Sequence, residues 1–107
     1  MHSERRNHSM IYLEDMNSVL VCGGEKYINA TNDATNDAEI TNITLGTWKQ
    51  IIPLIEARIS PMLLYFNQRT VFCFGGSDGN YLINSCESID IKSQNSSWKI
   101  IPVEKKT

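Results

Sequence analysis

The sequence predicts an all-β fold built from two similar units of four short antiparallel strands, and three observations carry that expectation. The chain matches itself at a spacing of about fifty residues. Each matching half holds short, β-prone apolar runs separated by polar turns. No segment sustains a helical period, and the stretch from Leu54 to Ile59, between Pro53 and Pro61, is too short for a helix.

The self-match is read by sliding the chain on itself. A shift of 52 places Glu4 on Glu56, Arg6 on Arg58, Met10 on Met62, Val19 on Val71 and Gly23-Gly24 on Gly75-Gly76. A shift of 48 brings Glu39 onto Glu87 and Ile43 onto Ile91, and a shift of 50 brings Trp48 onto Trp98. These changes of offset fall between the apolar runs, where length changes are tolerated because closure entropy grows slowly with loop length. The natural division is therefore residues 1–53 and 54–107.

Within each unit the same signals recur in the same order. The first strand is Met10-Ile11-Tyr12-Leu13, and in the second unit Met62-Leu63-Leu64-Tyr65-Phe66. Polar turns follow at Glu14 to Asn17 and at Asn67 to Arg69. The second strands, Val19-Leu20-Val21-Cys22 and Val71-Phe72-Cys73-Phe74, are nearly continuous apolar runs, as suits strands covered on both faces. Gly-Gly closes each of them and permits a sharp exit. Third strands are predicted over Glu39–Ile43 and Glu87–Ile91, and fourth strands begin at Trp48 and Trp98 and end against Pro53 and Pro102. Four strands per repeat of about fifty residues is the pattern of β-propeller blades, here two of them and an incomplete propeller. Between the second and third strands of the first unit, Thr31-Asn32-Asp33-Ala34-Thr35-Asn36-Asp37-Ala38 is a tandem polar duplication. Such a tract buries too little apolar surface to order itself, so it is expected to be a mobile insertion.

Composition bounds the function. With 107 residues, 41% hydrophobic and 21% charged, the chain can bury one modest core. A net charge of −2 provides no basic field for nucleic acid, and no apolar run is long enough to cross a membrane as a helix. The charged start Met1-His2-Ser3-Glu4-Arg5-Arg6 is not a signal peptide, which points to the cytoplasm, with the nucleus also open. Cys22, Cys73 and Cys86 are odd in number and lack CxxC spacing, so they read as small buried hydrophobes; a Cys73–Cys86 bridge between adjacent strands is the alternative.

No catalytic constellation is visible. His2 and His8 lack a third ligand at metal-like spacing. Gly75-Gly76-Ser77-Asp78-Gly79 has neither the following Gly-Lys-Ser/Thr nor the helix of a phosphate loop, and reads as a turn. There is no GxSxG and no HExxH. No metal, no cofactor and no enzymatic activity are expected.

Taken in order, these residues resemble the kelch repeat, whose pattern runs arginine, a strand, a hydrophobic strand ending in Gly-Gly, then glutamate, tyrosine and aspartate, then tryptophan. The first unit supplies Arg6, Gly23-Gly24, Glu39 and Trp48; the second supplies Arg58, Gly75-Gly76, Glu87, Asp90 and Trp98. The tyrosine position holds Thr41 and Ile89, and the first aspartate position holds Asn42. The resemblance spans about Glu4 to Val103 and implies that the arginines, glutamates, glycines and tryptophans are framework residues. It further implies a non-catalytic protein-interaction module, such as an adaptor that presents substrates to ubiquitin ligases or a binder of actin, with further blades in a longer chain or self-association completing the propeller. The alternative is a pair of structural blades in a larger galactose-oxidase-like enzyme. Kelch propellers commonly bind protein partners through the loops between second and third strands and between blades. Here those loops are Glu25–Asp37, Ser77–Ser85 and Pro53–Ser60, and they carry the candidate contact residues Glu25, Lys26, Tyr27, Asp78, Asn80 and Tyr81. Tyrosines beside small polar groups add contact area at low entropy cost.

Overall fold

The computed structural model describes residues 5–28 and 31–102. In chain order the elements are β1 (Ser9–Leu13), a 3-10 turn (Glu14–Met16), β2 (Ser18–Cys22), β3 (Glu25–Ile28), β4 (Thr31–Ala34), β5 (Ala38–Asn42) and β6 (Trp48–Ile51). There follow β7 (Met62–Phe66), β8 (Thr70–Phe74), β9 (Cys86–Asp90) and β10 (Lys99–Ile101). The fold is all-β, with no α-helix among the described residues. Strands β1-β2-β5-β6 form one four-stranded sheet, β7-β8-β9-β10 form a second, and β3-β4 form a separate hairpin. Every strand pairing is antiparallel.

The hairpin corrects the expectation of eight strands and of a mobile Thr31–Ala38 tract. Thr31–Ala34 pairs along its length with Glu25–Ile28. Order here comes from backbone hydrogen bonding, which needs no apolar side chain. The rest of the tract is held too: Lys26 pairs with Asp37, and the Asn36 side-chain amide donates to the Leu54 carbonyl at 3.1 Å.

Strand register shows how the two sheets correspond. Tyr12 lies opposite Val19, and Tyr65 lies opposite Val71. Since Val19 matches Val71, the first strands align at an offset of 53, with Tyr12 on Tyr65, and not at 52. The extra residue sits in the first turn. Between β7 and β8, Asn67 and Gln68 both have positive φ (54°), and Arg69 N–H closes the turn on the Phe66 carbonyl at 3.2 Å. That is a type I′ hairpin, whose twist matches the strands it joins. Between β1 and β2 the chain makes a 3-10 turn and then a left-handed Asn17 (φ 47°), which is one residue longer.

The same slip corrects the framework arginine. Arg5, not Arg6, occupies the place of Arg58. The Arg5 side chain is fully buried, with Nη2 2.6 Å from Glu39 Oε2 and Nη1 donating to the carbonyls of Gly23 and Asp37 at 3.2 and 3.1 Å. Arg58 is likewise buried, with Nε 3.1 Å from Glu87 Oε2 and Nη1 donating to the carbonyls of Gly75 and Ser85 at 3.0 and 2.8 Å. Arg6 points outward and pairs with Glu25 at 2.9 Å. A one-residue step along extended backbone reverses the face a side chain occupies, so adjacent arginines take opposite roles. At the other end of the third strands, Asn42 and Asp90 share one turn contact: Asn42 Oδ1 accepts the Thr44 N–H at 2.9 Å, and Asp90 Oδ1 accepts the Lys92 N–H at 3.1 Å, while Asp90 also pairs with Arg69.

The core lies between the two sheets. Leu13, Leu20, Cys22 and Ala38 from the first sheet meet Val71, Cys73 and Ile89 from the second, with Leu54 and Trp98 completing the cluster. β1 and β7 approach each other, and a groove of about 500 Å³, lined by residues including Gln50, Ile52, Ile89 and Ser96, opens between the sheets toward their outer strands. Asp15 ties the sheets together at one end, accepting from the Tyr65 hydroxyl at 2.8 Å and pairing with Lys92. The Lys92 ammonium holds the Asp15 carboxyl below its usual range, and desolvation together with Asp15 pushes the Tyr65 hydroxyl up to about 12.

All three cysteines are free thiols. Cys73 is opposite Glu87 and Cys86 is opposite Phe74, so they stand on opposite faces of their sheet and cannot form the alternative bridge. Burial raises the Cys22 and Cys86 thiols and pushes Cys73 up to about 12, leaving them inert at neutral pH.

Candidate protein-interaction site

The three loops singled out above converge on one rim, and backbone hydrogen bonds lock them there. Gly24 N–H donates to the Arg58 carbonyl at 2.8 Å, Arg58 N–H to Thr35 at 3.2 Å, and Leu54 N–H to Asn36 at 2.8 Å. Those bonds fasten the β6–β7 connection to the β2–β5 connection. Ile59 and Ser77 then exchange both N–H···O bonds, at 2.7 and 3.0 Å, and fasten it to the β8–β9 connection. The glycine pair makes this possible. A Cβ on Gly23 would lie 2.4 Å from the Arg58 carbonyl oxygen, and one on Gly24 would lie 2.8 Å from that of Arg6. Only glycine admits such an approach, and both residues have positive φ.

The sequence-predicted contact residues divide into two groups on this rim. Tyr27 and Tyr81 project into solvent, 71% and 77% exposed. Glu25, Lys26 and Asp78 are already engaged. Glu25 Oε1 accepts from Arg6 Nε and Asn7 Nδ2, both at 2.9 Å, and Lys26 pairs with Asp37. Asp78 Oδ1 accepts the N–H groups of Asn80 and Tyr81, both at 2.8 Å. Those two bonds, led by that from Tyr81, hold the Asp78 carboxyl below its usual range. Asp78 thus builds the turn that presents Tyr81, with the exposed Asn80 at its tip.

Leu82 was missed in the sequence, where it reads as one more apolar residue. It is 89% exposed beside Tyr81. Its signal was the short run Tyr81-Leu82-Ile83 set between Asn80 and Asn84, in a loop too short to turn all three side chains inward. An open groove of about 550 Å³, lined by Arg5, Arg6, Glu25, Tyr27 and Asn32, lies under the β3–β4 hairpin on the same rim.

Among the described residues, no three His, Cys, Asp or Glu side chains cluster as a metal site would require. His8 is half-buried against Gly24, and His2 falls outside the described residues. No helix among the described residues is long and apolar enough to cross a membrane. No protein-family model matches the chain, and no curated protein matches it as a relative.

Proposed function

We propose that this chain is a pair of kelch-type propeller blades, residues 1–53 and 54–107, that binds a protein partner as an adaptor or scaffold and performs no chemistry of its own. The observation that carries the binding role is the rim. Tyr27, Tyr81 and Leu82 are held in solvent by loops that backbone hydrogen bonds clamp together. Large side chains exposed on a rigid frame lose little entropy on docking, which is the economy of a binding surface. The blade reading is supported by the two four-stranded meanders, each with its buried Arg–Glu pair, its closing Gly-Gly and its tryptophan. It is supported also by the way the sheets meet at their first strands and part toward their last.

The test is selection of a displayed random peptide library on the folded chain, followed by titration of an enriched peptide. Tyr27→Ala combined with Tyr81→Ala is expected to weaken binding at least tenfold, as loss of aromatic contacts does. Leu45→Ala, an exposed change in the β5–β6 turn at the opposite rim, is expected to leave it unchanged. Peptides that bind equally well to all three proteins, or the enrichment of none, would remove the rim from consideration.

A further inference from the structure

We propose that the uncovered face of the second sheet receives the outer face of the first sheet of a second copy, at its exposed first strand, so that chains associate head to tail. Neither the kelch reading nor a partner on the rim is needed for this inference. The second sheet turns Met62, Leu64 and Phe66 to solvent, 61%, 51% and 54% exposed, with half-buried Phe72 and Phe74 beside them on the same face. A contiguous apolar face of this kind is uncommon on a monomer and marks an association surface.

Internal repetition identifies what fits there. By strand register, Leu64, Phe66, Phe72 and Phe74 match Ile11, Leu13, Leu20 and Cys22, the side chains of the first sheet that the second sheet covers. The side chains doing the covering, Leu63, Tyr65 and Val71, match Met10, Tyr12 and Val19 on the opposite side of the first sheet, where Met10 and Tyr12 are 59% and 50% exposed while Val21 and Glu39 beside them are buried. Each chain therefore carries both halves of the contact it already makes internally, one at each end.

A second observation, in the backbone, points the same way. Gly23 is overlaid by the Arg58 carbonyl, with an added Cβ only 2.4 Å away, whereas at the matching Gly75 the nearest atom would be 4.0 Å away. Gly76 fits the repeat, since an added Cβ there would lie 2.6 Å from the Ile59 carbonyl as one on Gly24 would from that of Arg6. Among the described residues no backbone carbonyl accepts the Gly76 N–H, while the matching Gly24 N–H is taken by Arg58. The Gly75-Gly76 corner is thus shaped for the carbonyl of an incoming Arg5, the counterpart of Arg58. The contact joins unlike surfaces, so it either closes a ring or grows without limit. Rings of four to eight sheets are the stable solutions, and they correspond to about two to four copies.

Light scattering on a sizing column tests this with the full chain. Wild type is expected at a discrete mass of about two to four times that of the 12.1 kDa chain. Leu64→Glu and Met10→Glu, each at an exposed position on one of the two faces, are each expected to run as monomers. Mixed together, they retain one intact face apiece and are expected to form a one-to-one pair. Phe66→Lys on the same face as Leu64 is expected to repeat the Leu64→Glu result. A monomeric wild type overturns the proposal, as does a polydisperse aggregate, which is what a face reserved for another sheet of a longer chain would give. Variants that associate like wild type, or that fail to pair when mixed, overturn it as well.

Discussion

Glu87→Gln is expected to remove about 3–5 kcal/mol of folding stability, which is what breaking a buried ion pair from one side typically costs. Three donors converge on that carboxylate. Oε1 accepts the Ile55 N–H at 2.6 Å, and Oε2 accepts the Glu56 N–H at 3.0 Å and Arg58 Nε at 3.1 Å. A glutamine keeps one acceptor oxygen but turns an NH₂ toward remaining donors, and it leaves the fully buried Arg58 guanidinium without its counter-charge. Both effects act at the junction that fixes the β6–β7 connection to the second sheet. The control is Glu25→Gln. Its partner Arg6 is exposed, so that pair contributes about 0–1 kcal/mol. Urea melts of the two variants should differ widely in midpoint. Equal midpoints would mean that Glu87 is solvated and that the buried frame is wrong.

Trp98→Ala is expected to cost a similar amount, about 3–5 kcal/mol, because a large buried aromatic side chain is deleted. Trp98 packs in the core between the sheets, and its indole N–H donates to the Ile52 carbonyl at 3.0 Å, so truncation also orphans an acceptor. For a domain of this size the loss corresponds to a drop in melting temperature of at least about 10 °C. The matching Trp48→Ala should cost less, since Trp48 is only half-buried on the face of the first sheet turned away from the second. Thermal melts followed by circular dichroism decide it, and an equal loss from both would contradict the placement of Trp98 at the interface.

Much of the fold was legible because apolar runs and glycine pairs recur in one order. Val19–Cys22 and Val71–Phe74 announced the central strands, and the tryptophans announced the last ones, Trp48 opening β6 and Trp98 standing one residue ahead of β10. The first strands were harder. Met10 over Met62 and Arg6 over Arg58 are attractive matches, yet the true alignment runs one residue away, with Arg5 over Arg58 and Tyr12 over Tyr65. Turn geometry decides that register, and a type I′ turn and a 3-10 turn ending in left-handed Asn17 leave little trace in composition. The β3–β4 hairpin was illegible for another reason. Its second strand, Thr-Asn-Asp-Ala, has poor intrinsic β preference and is ordered by its neighbours. At the rim, Tyr27 and Tyr81 could be read from their polar surroundings. The engagement of Glu25 and Lys26 could not, because their partners Arg6 and Asp37 are brought to them only by the folded backbone, whereas the bond of Asp78 to the Asn80 amide is a local turn.

Residue-resolved amide hydrogen exchange tests most directly the claim that the chain is one structural unit used twice. The slowest amides are expected in the central strands of both sheets, at Val19–Val21 with Glu39–Thr41 and at Val71–Cys73 with Glu87–Ile89, in matching patterns. The amides of Ile55 and Glu56 should be protected with them, although they lie outside any strand, because both donate to buried Glu87. Protection confined to one half of the chain, or rapid exchange at Ile55 and Glu56, would contradict two equivalent sheets joined through a buried Arg–Glu frame.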